Sequence, residues 1–252
     1  MKSYAYDLLI NDKRIDGRKL DEYRTIEIKQ DRIKHADGSA VVTIGKTKVM
    51  VGVKMEVGTP FSDTPDEGTL MVNSEFAPIA SPDFETGPPN EDSVELARVV
   101  DRGLRESHCV DFKKLCITSG EKVWTVFVDI HIINDDGNLI DCSFLASLAA
   151  LMNTKLPSLD DENKVIRGES EENLEVNHQP IEVTVSKLED KFILDPDADE
   201  EKTINCKLTV AVREDDMICA LQKQGNLELS IEDTKKIIEI AIEKSKELRK
   251  FL

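Results

Sequence analysis

The sequence of 252 residues predicts a mixed α/β (α+β) fold. It comprises two similar units, each a sheet with helices, and the two units pack together as one domain pair. Three observations predict it. Stretches that alternate apolar and polar residues, as half-buried strands do, fall into two groups. Each group is accompanied by segments with apolar residues at helical spacing. An acidic stretch with few large apolar residues separates them, so we place an N-terminal unit at 16–156, an acidic connecting loop at 157–180 and a C-terminal unit at 181–252.

The first unit opens with four predicted strands and a helix. Alternation and a high content of Val and Met predict strands at 25–29, 39–45, 47–57 and 69–75. A helix is expected from 93 to 107, because Ser93 can cap it and Val94, Ala97, Val100 and Leu104 follow at helical spacing.

The unit continues with two more strands and a second helix. Strands are predicted at 113–118 and 122–133, followed by a turn at 135–138. The segment 143–152 is apolar on nearly every side, which is typical of a helix buried on both sides. We therefore expect it between sheets or at a subunit boundary.

The second unit repeats this composition in a shorter form. Strands are predicted at 181–187, 191–194, 203–212 and 217–222. Ser230 with Asp233 three residues later resembles a capping box, so the last helix is expected to begin there.

The net charge of −17, from 33 basic and 50 acidic residues, argues against nucleic-acid binding by the chain as a whole. The acidic residues are unevenly distributed along the chain, however. Segment 157–180 carries seven acids and two bases, and segment 189–201 carries seven acids and one base. Most of the excess acid therefore belongs to two predicted loops, and a basic surface elsewhere remains compatible with the composition.

The remaining composition indicates a cytoplasmic protein that does not enter a membrane. No stretch approaches the roughly 18 apolar residues of a membrane span. The first sixteen residues mix charges among apolar residues, unlike a signal peptide. Five cysteines without a C-x-x-C pair suggest free thiols in a reducing compartment.

Three motifs resemble functional sites and do not meet their requirements. Gly45-Lys46-Thr47 lacks the earlier glycine and the following helix of a phosphate-binding loop. The acidic stretch 195–199 resembles a calcium loop without its Gly and final Glu, so an acidic hairpin loop is expected and a weak divalent site stays open. Asp129 and His131 share a strand face, so they could form an acid/base pair or, more simply, a structural pair. We expect no catalytic residues, no metal and no cofactor.

Three arginines form the most promising candidate site. Arg98, Arg102 and Arg105 are spaced i, i+4 and i+7, which places them on one stripe of the predicted helix. A planar guanidinium can donate two hydrogen bonds to one phosphate. Ion pairing with Glu95, Asp101 and Glu106 explains the stripe equally well.

An ordered series of short motifs covers the chain from about residue 15 to its end. The series comprises Asp16-Gly17-Arg18, Tyr23-Arg24, Asp37-Gly38-Ser39-Ala40, Gly45 to Val49, Val94 to Arg98, Arg102 to Arg105, and Asp136-Gly137 before an apolar helix. Together they resemble the RNase PH family of phosphorolytic 3′→5′ exoribonucleases and exosome ring subunits. Segments 84–90 and 139–147 resemble the non-catalytic RNase PH-type subunits of archaeal exosomes in particular.

The sequence departs from the family's active members in three places. Their Asp-Gly turn continues into a phosphate-holding Gly-Gly-Ser/Thr-Arg segment, whereas here Gly137 is followed by Asn138, Leu139 and Ile140. An RNA-gripping arginine is replaced by Asp92. A catalytic acid is expected within 203–207, where no carboxylate occurs. Phosphorolysis brings an anion against an anion, so the loss of fixed positive donors disfavours it.

The resemblance therefore implies an inactive homologue within a phosphorolytic RNA-degrading complex. Its expected partner is a catalytic RNase PH-like subunit, with three such pairs closing a hexameric ring and RNA-binding cap subunits on one face. The resemblance also implies that arginines of this helix contact single-stranded RNA at the partner's site. Arg98 and Arg102 match those positions, and Arg105 matches less securely. The alternatives are an active phosphate-dependent 3′→5′ exoribonuclease, and a protein unrelated to RNA.

Overall fold

The computed structural model describes residues 4–160, 162–167 and 172–252. A short helix, α1 (Tyr4–Leu9), precedes the first unit. That unit then runs through β1 (Ile26–Gln30), β2 (Gly38–Ile44), β3 (Thr47–Gly58), β4 (Thr69–Phe76), α2 (Glu91–Glu106), β5 (Cys116–Thr118), β6 (Lys122–Asn134) and α3 (Leu139–Met152). A small hairpin of β7 (Ser158–Leu159) and β8 (Val165–Ile166) follows. The second unit comprises β9 (Ile181–Leu188), β10 (Lys191–Leu194), α4 (Ala198–Glu201), β11 (Lys207–Val212), β12 (Ile218–Gln224) and α5 (Ile231–Leu248).

Two sheets form the framework, which confirms the predicted mixed α+β fold. The first has the order β1-β2-β3-β6-β4, with β5 also paired to β6 and only β4 parallel to its neighbour. The second has the order β10-β9-β11-β12 and is antiparallel throughout. Val and Met side chains at alternate positions of β3 are fully buried, from Val49 to Met55. That alternation is the reason why the strand could be predicted from the sequence.

Helix α3 lies between the two sheets. It packs on β2 and β3 of the first sheet and on β9 of the second. Its side chains are buried from Ile140 to Leu151, as its apolar sequence predicts. Helix α2 packs on β4, α3 and β12, and α5 covers the other face of the second sheet through β9 and β11.

Several boundaries differ from the prediction. Helix α2 begins at Glu91 because Asn90, not Ser93, is its N-cap, and the Asn90 side chain accepts a hydrogen bond from the Ser93 amide at 2.9 Å. Half of the predicted strand 113–118 is a 3₁₀ turn capped by Asp111. Helix α3 begins four residues early, after Asn138 in a left-handed conformation with φ of 58°.

The second unit also departs from the prediction in places. Strand β11 begins at Lys207 and not at 203, and α4 replaces part of the expected acidic hairpin loop. Asp197 caps α4 in a capping box with Glu200. The predicted cap of α5 is confirmed, because Ser230 and Asp233 form a capping box there.

The acidic segment 157–180 is more ordered than a plain loop where the structure describes it. It contains the hairpin of β7 and β8, and Val176 forms a bridge with Val110. Three of its predicted acids, Asp161, Glu169 and Glu171, lie outside the described residues.

All five cysteines are free thiols, and Cys109, Cys142 and Cys206 are buried. Across 4–160, 162–167 and 172–252, no helix is long and apolar enough to cross a bilayer.

Candidate nucleic-acid interface

The three departures from the family pattern meet around one cavity of about 290 Å³, here called the central cavity. Asp92 lies in the first turn of α2, Asn138 to Ile140 form the start of α3, and Lys207 begins β11. These elements converge because α3 is held between the sheets and α2 crosses it. The sequence motifs therefore identify a real spatial cluster, although they are spread over more than a hundred residues, from Asp92 to Lys207.

Carboxylates dominate the central cavity. Asp92, Glu95, Asp135 and Glu201 line it, and Lys207 is its only basic lining residue among those described. The Lys207 ammonium is already paired with Glu201. Burial raises the pKa of Asp135 above its ordinary value, and the neighbouring charge of Glu201 adds to that rise. This environment disfavours a bound phosphate.

A buried polar network lies directly behind the cavity. Asp195 is fully buried and accepts hydrogen bonds from the Arg24 guanidinium at 2.7 and 2.8 Å and from Asn138 Nδ2 at 2.9 Å. The Arg24 pairing lowers the pKa of Asp195 despite its burial. Gly137, with φ of 83°, lets the 196–198 backbone approach, since a Cβ there would lie 2.5 Å from the Pro196 oxygen.

The resemblance of 195–199 to a calcium loop thus has a structural explanation. Asp195 is neutralised by arginines, and Asp197 is occupied as the cap of α4. Within the residues that the structure describes, no group of three or more His, Cys, Asp or Glu side chains is arranged to hold a metal ion.

Asp129 and His131 do not pair with each other. His131 Nδ1 lies 3.2 Å from Glu75 on the neighbouring strand β4, and Asp129 accepts a 3.4 Å hydrogen bond from Asn73. The predicted pair between Asp129 and His131 is therefore wrong, because each side chain makes a cross-strand contact to β4 instead.

The predicted arginine stripe lies on α2 beside a shallow groove of about 440 Å³. Arg98 and Arg102 line the groove, and both are exposed. Arg98 has no hydrogen bond or ion pair with any residue the structure describes. Arg102 donates a 3.2 Å hydrogen bond to Gln222 on β12. Neither guanidinium is therefore paired with a carboxylate of the described residues.

Arg105 differs from the other two arginines. Its guanidinium donates to both oxygens of Asp101, at 2.6 and 3.2 Å, and to the Leu70 carbonyl at 2.9 Å. It also lies 5.9 Å from the centre of the Phe112 ring. These contacts fasten α2 to β4, so the ion-pair interpretation of the stripe applies to this member. An RNA contact by Arg105 stays a prediction.

Sequence reasoning missed several lining residues of the central cavity, among them Glu201 and Gln224. Glu201, assigned to an acidic loop, pairs with Lys207, and Gln224 at the end of β12 completes the wall. Neither has a local sequence signal, because only the pairing of β11 with β12 brings Gln224 to Lys207.

Comparisons with known proteins all indicate the same family. Domain 1 of the 3′ exoribonuclease family matches residues 22–157, and domain 2 of that family matches residues 178–244. The exosome complex component Rrp42 of Methanosarcina mazei is 48% identical, over 98% of this chain and 91% of that protein. The protein of the same name from Archaeoglobus fulgidus is 46% identical, over 98% and 94%.

Solved structures of archaeal exosome chains are similar to this chain over nearly its whole length. A chain of the Archaeoglobus fulgidus exosome with RNA bound to the active site has a TM-score of 0.92 at 46% identity, covering 98% of this chain and 95% of that one. A chain of an archaeal exosome core has a TM-score of 0.88 at 44% identity, covering 98% and 94%. Rice Rrp46, at 20% identity and a TM-score of 0.71, is similar in fold alone.

Proposed function

Because this chain belongs to the 3′ exoribonuclease family of RNase PH-type proteins, we propose that it is a non-catalytic subunit of an archaeal-type exosome. It pairs with a catalytic RNase PH-like subunit, and three pairs close a hexameric ring that works with RNA-binding cap subunits in the cytoplasm. Its role is to order the partner's active site and to hold single-stranded RNA there for degradation from the 3′ end.

The composition of the central cavity carries the non-catalytic part of this proposal. Phosphorolysis needs fixed positive groups where the phosphate and the scissile phosphodiester meet. Here the one lining lysine is neutralised by Glu201, while Asp92, Glu95 and Asp135 remain. Two unlike charges about 4 Å apart attract by roughly 4 kcal/mol at an effective dielectric constant of 20, and like charges repel equally. A phosphate entering this cavity would meet net repulsion.

Activity of the purified chain tests that part directly. Incubated with a 3′-tailed RNA, magnesium and inorganic phosphate, the chain alone should release no nucleoside diphosphates. The same preparation, once assembled with a catalytic homologue, should support release. Phosphorolysis by the chain alone would establish the alternative, an active phosphate-dependent 3′→5′ exoribonuclease.

The guanidiniums of Arg98 and Arg102 support the RNA-contacting part, because neither is paired with a carboxylate among the residues that the structure describes. Changing both to Glu should weaken RNA binding and degradation by the assembled complex by at least about tenfold, while the ring still forms. The slope of log affinity against log salt should fall by about 1.4, since each phosphate contact to a single strand contributes about 0.7.

A matched pair of lysines provides the control. Lys235 and Lys250 are exposed on and just after α5, and changing both to Glu alters the net charge by the same amount. Filter binding across a salt series should show an unchanged slope in that control. Equal slopes for the arginine variant and the wild type would contradict the assigned contacts.

A further inference from the structure

The central cavity has a composition that suits a ligand of the opposite charge to phosphate. Besides its four carboxylates it contains two buried oxygen acceptors, Asn138 Oδ1 and Gln224 Oε1, that have no hydrogen-bond partner among the described residues. Buried polar atoms are nearly always paired, so the orphan oxygen of Asn138 indicates a missing donor, and the Gln224 amide can turn its oxygen to the same donor.

The orientation of Asn138 is fixed by its neighbours. The side chain is 3% exposed, and Nδ2 donates to Asp195 Oδ1 at 2.9 Å and to Asp141 Oδ2 at 3.2 Å. Both neighbours are carboxylates, so exchanging the amide nitrogen and oxygen would place acceptors against acceptors. Oδ1 is therefore the end turned away from the Asp141–Asp195 network, on a residue that lines the central cavity.

The charge balance also favours a cation. Asp92 has no ion pair with any described residue, and Glu95 accepts only a long hydrogen bond of 3.4 Å from Gln222. Lys207 offsets one of the four carboxylates. The start of α3 contributes about half a positive charge, which is too little to reverse the sign.

The walls discriminate between kinds of cation. Phe76 and Phe84 stack with ring centroids 4.6 Å apart, and Leu139 and Ile140 complete an apolar side. Magnesium needs several oxygens at about 2.0–2.1 Å, and no such metal-binding group of acids occurs in the part of the chain described here. An alkylammonium instead donates three hydrogen bonds at its head and packs its methylenes on apolar or aromatic surface.

We propose that the central cavity binds an organic ammonium group, supplied by a free polyamine or by a lysine side chain of a neighbouring subunit. The head group would lie among Asp92, Asp135 and the two orphan oxygens, and its hydrocarbon part would lie along Phe76 and Phe84. This site adjoins the arginine groove on α2, with Glu95 lining both, and its occupation requires no catalysis.

Calorimetric titration of the full chain with spermidine at low ionic strength tests the proposal. One saturable site is expected, and changing Asp92 and Asp135 to Asn should weaken it by about tenfold. The control changes Glu91 and Glu239 to Gln, which removes the same charge outside the central cavity and should alter the affinity less than about twofold. The single Asp92→Asn variant, at an exposed position, repeats the test with minimal risk to folding.

Repeating the titration on the complex with a catalytic homologue distinguishes a free polyamine from a lysine of the neighbouring subunit. This is the one experiment here that rests on the proposed function. Binding to both the free chain and the complex supports a free polyamine. Binding to the free chain alone supports a lysine from the neighbouring subunit. Absence of a saturable site on the free chain, equal weakening by both variants, or displacement of spermidine by micromolar magnesium would overturn the proposal.

Discussion

Gly103 determines how closely the arginine-bearing helix approaches the rest of the molecule. It lies in the last turn of α2, and glycine inside a helix costs about 0.8–1.0 kcal/mol relative to alanine. A Cβ at this position would lie 2.4 Å from Glu182 Oε1 and 2.6 Å from Phe144 Cε2. Both neighbours are buried and fixed by their own packing, so the glycine is required by contact between elements.

The Gly103→Ala variant should therefore be destabilised in spite of its better helix propensity. Overpacking a core typically costs about 1–3 kcal/mol, and two contacts below 3 Å indicate the upper part of that range. The gain of about 1 kcal/mol in helix propensity then leaves a net loss of about 1–2 kcal/mol in the free energy of unfolding. Urea denaturation gives this value. Gly52→Ala is the matched control, because its nearest contact would be an ordinary 3.4 Å to Ile33, and it should be neutral or slightly stabilising. Equal behaviour of the two variants would contradict the tight packing of α2.

At the scale of elements, the sequence predicts best where one physical signal dominates. Strand β3 alternates buried and partly exposed residues over its length, so its position was predicted to within a residue. Helix α3 is apolar on all sides and lies between the sheets, as that pattern requires. The start of α2 was wrong by two residues because Asn90 and Ser93 are both good caps, and only the folded backbone selects Asn90.

Elements that are held by contacts between residues far apart in the chain could not be predicted from the sequence. Helix α4 has four residues, and its Glu200 is buried against Arg14, whose Nε donates at 2.9 Å from 186 residues away. The arginine stripe shows the same limit at the site. Its spacing was evident, yet only the structure separates Arg105, bound to Asp101, from Arg98, which has no ion pair among the described residues.

At the scale of the whole molecule, three layers meet at one buried carboxyl group. Glu182 of β9 contacts Gly103 of α2 and lies beside Phe144 of α3. It is 2% exposed, and its Oε2 atom has no hydrogen-bond partner in the part of the chain that the structure describes. Burial raises the pKa of Glu182 well above its ordinary value, the charge of Asp141 adds to the rise, and Arg102 partly opposes it. Burial likewise raises the pKa of Asp141 to about 7.

These two groups make the stability of the molecule depend on pH in a defined direction. Both bind their protons more tightly in the folded chain than in the unfolded chain. Their contribution therefore favours folding at low pH and is lost as pH rises from the unfolded carboxyl range, near about 4, towards the folded values. Each group can cost up to about 1.4 kcal/mol for every pH unit in that window.

Glu182→Gln removes one of the two titrations while keeping the shape of the side chain. Urea unfolding should show that this variant loses less stability than the wild type between pH 5 and pH 8, by about 1 kcal/mol or more. Glu239→Gln, at an exposed position of α5, should follow the wild-type curve. Parallel curves for Glu182→Gln and the wild type would mean that Glu182 is ionised in the folded chain, in which case Arg102 would have to turn inward to neutralise it.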